Sequence, residues 1–220
     1  MAAALALMAR VGSIAIDLAT ELVAPTRCAA CDGSVRRRGL FCIACASTIE
    51  RAGSGDEARC VAAFEYGGAV ATAIARLKYQ DRADLAPRLG RAMEPAARRL
   101  GELVDLVVPV PLHPRRLAER GYNQAALLAA PIARALGVTI HASALVRVRD
   151  TPQQVAMDRE SRLTNVGGAF AARDRSKVNG RRVLLVDDVR TTGATLDGCA
   201  RALHEVGAAR VVALVLARRA

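Results

Sequence analysis

The residues with the plainest chemistry are two adjacent acids, Asp187 and Asp188, which close the apolar run 183–186. Thr191, Thr192, Gly193, Ala194 and Thr195 follow, and read as a loop and the first turn of a helix. A carboxylate can accept two hydrogen bonds from a vicinal diol. Threonine hydroxyls and the unpaired N–H groups of a helix start offer donors to an anion. Gly193 lets the backbone turn tightly and approach a ligand. Acids and turn together suit a ribose 5-phosphate, with its phosphate in the turn and its 2- and 3-hydroxyls on the aspartates. An acid pair serving as a helix-entry turn and cap explains one aspartate better than two. The spacing is neither GxxxxGK[ST] nor GxGxxG, which argues against a nucleoside triphosphate or dinucleotide cradle.

A second constellation is four cysteines in two close pairs, Cys28 with Cys31 and Cys42 with Cys45. Thiolates on two tight turns can complete a tetrahedron around zinc, and no export signal suggests disulfides instead. The stretch between the pairs, "DGSVRRRGLF", has the content of a solvated hairpin and makes a minimal ribbon. Paired thiols without metal are the alternative. Cys60 and Cys199 are isolated and read as buried thiols.

These groups need elements to hold them. Residues 1–24 read as a helix, with Val11, Ile14, Leu18 and Leu22 at helical spacing. Residues 25–50 form the cysteine module, 50–58 a polar link, and 59–220 the main domain. A strand at 60–68 ends in a turn, and 69–79 is helical. Residues 82–100 are helical with proline interruptions. A strand enters "VVPVPLHP" and should leave the sheet at its prolines, because proline lacks an N–H. Residues 123–137 read as a helix ending at Gly137, and 138–148 as holding one strand. The polar, poorly periodic stretch 149–170 reads as a long loop of the functional or mobile kind. Strand 182–188, helix 194–207 and strand 209–219 complete the chain. Apolar strands alternating with helices predict an α/β fold, a parallel sheet covered on both faces.

The chain has 220 residues, 52% hydrophobic and 3% aromatic, so its core is built of Ala, Val and Leu. A formal charge of +11 favours anionic partners. Only Lys78 and Lys177 are lysines, so the basic charge is nearly all Arg, which an Ala- and Arg-rich composition explains equally well. Arg10, Asp17 and Glu21 interrupt the N-terminal apolar run, and no segment offers about 18 uninterrupted apolar residues for a membrane span. The expected setting is soluble and cytoplasmic.

The stretch "VLLVDDVRTTGATL" resembles the phosphoribosyl-pyrophosphate motif of type I phosphoribosyltransferases. With "PVPLHPRRLAERGYNQA", "RVRDTPQQVAMDRESRLTNVGGAF" and the N-terminal "CAAC" and "CIAC", the chain resembles the ComF/GntX-type family over nearly its whole length. These are zinc-ribbon proteins with a type I phosphoribosyltransferase-like domain. The resemblance implies a parallel sheet flanked by helices behind a small N-terminal zinc-ribbon module with four cysteine ligands.

It further implies that Asp187 and Asp188 hold the ribose hydroxyls of phosphoribosyl pyrophosphate and that Thr191 to Thr195 hold its 5-phosphate. Arg115, Arg116 and Arg120 are pyrophosphate ligands by their guanidinium geometry, or arginines on a solvated helix face. Lys78 is a further pyrophosphate candidate. His113, between two prolines, shapes its loop more readily than it serves as an acid or base. Arg149, Thr151, Gln154 and Arg159 sit where such enzymes close a lid. Magnesium would accompany the pyrophosphate. Thr191 stands where purine-specific relatives often carry an acid, so purine salvage is not implied and the acceptor is open. The family's association with competence and DNA uptake implies a second class of function, a protein binding single-stranded DNA or a DNA-processing partner, with the nucleotide site as a sensor. Arg36, Arg37 and Arg38 in the ribbon favour it, and the low aromatic content argues against a base-stacking platform.

Overall fold

The apolar run before the two aspartates forms a strand, and the strand does not stop at them. The computed structural model describes residues 26–35, 39–53, 59–100, 104–148 and 168–219. Within these, β6 spans Arg182–Arg190 and carries Asp187 and Asp188 inside its length rather than at its mouth. The reason is its neighbour β7, Arg210–Arg218, which pairs with β6 as far as Arg190. On the other side, β2 (Leu106–Pro109) follows β6 only as far as Val186.

Five strands make one parallel sheet in the order β1-β7-β6-β2-β3, with β1 at Cys60–Glu65 and β3 at Thr139–Ile140. Alternate residues point to opposite faces, and burial follows. Leu184, Val186, Leu214 and Leu216 join one core layer, whereas Val183, Leu185, Ala213 and Val215 join the other. Helices α2 (Gly68–Tyr79), α3 (Ala86–Arg98) and α5 (Gln124–Leu136) supply Ile74, Leu77, Leu89, Met93, Leu128 and Ile132 to the first. Helix α7 (Ala194–Glu205) supplies Leu196, Cys199 and Leu203 to the second. The parallel sheet flanked by helices is therefore as expected.

Two expectations need correction. The stretch 138–148 holds two strands, not one. After β3 the chain turns at His141 to Ala144, and β4 (Leu145–Arg147) pairs antiparallel with β5 (Phe170–Ala172) in a separate small sheet. His141 and Ser143 break the apolar stretch there. Pro109, in turn, lies within the ladder. Val107 accepts a bond from His141 on the β3 side, and Val110 donates to Val186 on the β6 side. Alternation turns the proline's missing donor toward the β3 side, beyond the end of β3 at Ile140. Two short helices, α4 (Pro114–Arg120) and α6 (Arg175–Val178), complete the domain.

The cysteine module combines a turn with a helix. Cys28 donates to the Gly33 carbonyl and accepts from Asp32, which closes the first turn. Cys42 precedes the short helix α1 (Ile43–Ala46), which contains Cys45. Arg27 and Ser34 form an antiparallel bridge, whereas Arg36 to Arg38 lie outside the described residues, as do the N-terminal helix expected at 1–24 and the expected lid with Arg149, Thr151, Gln154 and Arg159. Among the described residues, no helix is long and apolar enough to cross a membrane.

Candidate functional site

β6 and β2 are neighbours, yet they feed helices on opposite faces. The chain leaves β6 for α7 on one face and leaves β2 for α5 on the other. Such a switch point opens a crevice beyond the strands' carboxyl ends. A cleft of about 380 Å³ lies there, lined by Asp187, Asp188, Thr191 and Thr195 from the β6 side and by Val110 to Leu112 from the β2 side. Helix α2 walls it with Ile74, Ala75, Lys78 and Tyr79.

Both acids are buried, Asp187 to 8% exposure and Asp188 to 3%. Oδ1 of Asp187 accepts the Asp188 N–H at 2.8 Å. Lys78 Nζ lies 2.8 Å from Asp188 Oδ1. The other Asp188 oxygen, Oδ2, has no hydrogen-bond partner among the described residues. Burial first, and then the negative charge of Asp188, push the Asp187 carboxyl up to about 7, with Lys78 pulling the other way. For Lys78, burial lowers the ammonium, but the Asp188 carboxylate, aided by Asp187, more than offsets it and raises it.

The turn after β6 has the expected local structure. Gly193 takes φ 86, a left-handed conformation, and caps α7. Thr192 Oγ1 accepts weakly from the Ala194 N–H at 3.5 Å. Thr191 and Thr195 face the cleft, while Thr192, Gly193 and Ala194 shape the turn behind them.

The predicted basic residues divide. Arg116 and Lys78 line the cleft and also an adjoining cavity of about 540 Å³, which Arg120 enters as well. Arg120 donates to Gln124 Oε1 and lies 5.7 Å from the Tyr79 ring. Arg115 is not brought to either space. Its Nε bonds Glu119 at 3.1 Å on an exposed helix face. His113 caps α4, accepting from the Arg115 N–H at Nδ1.

Arg147, Arg219 and Tyr66 also line the cleft and were missed by sequence reasoning. Tyr66 and Arg219 directly follow β1 and β7, so the rule that ligands sit at carboxyl ends of parallel strands could have found them. Arg219 lies 5.8 Å from the Tyr66 ring. Two tyrosines thus face the cleft despite the low aromatic content, so scarcity of aromatics is no argument against stacking at this place.

In the cysteine module, the four Sγ atoms lie within 4.8 Å of one another. Cys31 and Cys42 are 3.7 Å apart at sulfur, close to the ~3.8 Å edge of a tetrahedron with metal–sulfur bonds of about 2.3 Å. The group could hold a metal ion.

The phosphoribosyl transferase domain family matches residues 123–220, which include β6, the turn and α7. The chain is 36% identical over 165 residues to the DNA utilization protein YhgH of Escherichia coli K12, covering 73% of this chain and 72% of that protein. It is 34% identical over 151 residues to competence protein F of Haemophilus influenzae, covering 66% of each. Competence protein ComFC of Bacillus subtilis is 37% identical over 107 residues, covering 49% of this chain and 41% of that one.

Proposed function

The chain belongs to the ComF/GntX-type family of phosphoribosyltransferase-like proteins, and we propose that its switch-point cleft binds phosphoribosyl pyrophosphate. The observation that carries this reading is the convergence of Asp187, Asp188, Thr191 and Thr195 on one cleft. The α7 start and the threonine hydroxyls suit the 5-phosphate. The aspartates suit the 2- and 3-hydroxyls. Asp188 holds Lys78 through Oδ1, and its Oδ2, without a partner among the described residues, is an acceptor suited to a ligand hydroxyl. Lys78 and Arg116, shared by the cleft and the adjoining cavity, suit the pyrophosphate, with Arg120 further along.

The paired carboxylates and the unsatisfied oxygen also fit magnesium carried in with the ligand. Bound there, the ion would neutralise charge on the pyrophosphate. In a transferase reaction the C1–O bond to pyrophosphate breaks while a nitrogen acceptor forms a bond to C1 and releases a proton. The oxocarbenium-like charge at C1 would be stabilised by the neighbouring carboxylates.

Zinc is the metal proposed for Cys28, Cys31, Cys42 and Cys45, since four thiolates close a tetrahedral structural site. Zinc-held thiolates, with Cys60 and Cys199 as buried thiols, fit a reducing cytoplasmic setting. A calorimetric titration comparing ribose 5-phosphate, pyrophosphate and phosphoribosyl pyrophosphate tests the site. The whole ligand should bind more tightly than either fragment; equal binding of pyrophosphate alone would reduce the site to a general anion trap.

The relatives' names favour a second role for the same chain, in DNA uptake or use, with single-stranded DNA or a DNA-processing protein as partner. The charge of +11 supports an anionic partner. If arginines contact the strand, log affinity falls with log salt by about 0.7 per phosphate contact. Binding indifferent to salt removes this role.

A further inference from the structure

Helix α2 is used on two faces. Its cleft face carries Lys78 and Tyr79. Arg76, two residues earlier and so about 200° round the helix, points to the cysteine module. It is 7% exposed, donates to the Ala29 carbonyl at 3.1 Å, and grips the Asp32 carboxylate. Arg82 holds the other oxygen of Asp32 at 3.0 Å. Asp32 directly follows Cys31 and takes φ 57, a left-handed position within the first cysteine turn.

The other end of α2 is held by the same module. Gly68 and Ala69 open the helix, where N–H groups lack intrahelical acceptors. The Ala69 N–H is met at 3.0 Å by Thr48 Oγ1, three residues beyond Cys45. Gly68 takes φ 46, and any Cβ there would run into Thr48. Between these two ends α2 buries Val70, Ala73, Ile74 and Leu77 in the core layer, and Tyr122 Oη donates to the Leu77 carbonyl beside Lys78.

We propose that the four-cysteine module is the positioning device of the cleft. By gripping α2 near both ends through Thr48, Ala29 and Asp32, it holds Lys78 on Asp188. Loosening the module releases that lysine and lowers affinity for the cleft's ligand, a consequence that rests on the phosphoribosyl-pyrophosphate reading. Metal at the cysteines would thereby govern a site to which it contributes no ligand.

Lys78 and Lys177 are the only lysines, so amine acylation mapped by peptide mass carries its own control. Their side chains are 17% and 63% exposed. In the full zinc-loaded chain, Lys78 should react more slowly than Lys177. Removing zinc with a chelator, or introducing Asp32→Asn in zinc-loaded protein, should speed Lys78 acylation about tenfold by local opening. Lys177 and the slow amides of β6 and β7 should not change. An unchanged Lys78 rate in Asp32→Asn with its zinc retained overturns the inference. So does a joint rise in both lysines with exchange of β6 and β7, which signals global unfolding. Lys78 is read without ligand, so failure of phosphoribosyl pyrophosphate to bind would defeat the proposed function alone. A fall in affinity with Lys78 still shielded would overturn the coupling.

Discussion

Lys78 Nζ lies 2.8 Å from Asp188 Oδ1, an ion pair that ties the wall helix α2 to the central strand β6. Both partners are largely shielded from water, so neither charge is cheaply left alone. Truncating one partner of a buried pair leaves the other uncompensated. Lys78→Met should therefore cost about 3 kcal/mol of stability in urea unfolding. Lys78→Met combined with Asp188→Asn should recover most of that loss, because no charge is then stranded. Equal stability of both variants would show that the pair is solvated.

Asp187 gives the fold a pH dependence of unusual sign. Its carboxyl is raised to about 7 in the folded chain, against about 3.9 for a free aspartate. Between those values the folded state holds more protons than the unfolded state. The contribution to stability is complete below the lower value and is lost as pH rises through the upper one. Asp187→Asn keeps an acceptor for the Asp188 N–H and removes the buried charge. It should stabilise the protein by about 2–4 kcal/mol at pH 8 and by little at pH 4. Thermal melts at the two pH values read the difference.

Gly193 occupies a left-handed position that a side chain strains. A Cβ there would also come 3.4 Å from the Arg190 guanidinium. Gly193→Ala should lower stability by about 1–2 kcal/mol and weaken phosphate binding at the turn. Unchanged affinity in titrations of the variant would separate the turn from the anion site.

Metal analysis of the purified chain should give about one zinc per molecule. Cys31→Ser should lose most of it, because three thiolates leave the tetrahedron open. A folded module with no metal in either protein would contradict the zinc assignment.

The sheet was legible because its strands are continuous apolar runs, and residues 183–186 and 211–217 announce burial on both faces. The acids and the threonine turn could be singled out because a helix-entry cap explains one aspartate better than two, and the fold brings Asp187, Asp188, Thr191 and Thr195 to one cleft. The extent of β6 was not, since only pairing with β7 carries the strand past Asp188 to Arg190. Pro109 misled for a related reason: the cost of its missing N–H depends on where β3 ends. The pairing of Lys78 with Asp188 and the grip of Arg76 on Asp32 depend on how α2 is docked, and no local pattern encodes that. Arg115 and Arg116 are adjacent on one short helix, and only its orientation sends Arg116 to the cleft and Arg115 to Glu119.

The central claim is tested most directly by calorimetric titration of phosphoribosyl pyrophosphate with magnesium into the natural chain and into the double variant Asp187→Asn with Asp188→Asn. Saturable binding by the natural chain at pH 8, where Asp187 is mostly ionised, weakened at least about a hundredfold in the variant, is predicted, since hydrogen bonds to two charged acceptors are lost at roughly 1.5–3 kcal/mol each. Equal affinity in the two proteins, or no binding by the natural chain, would contradict it.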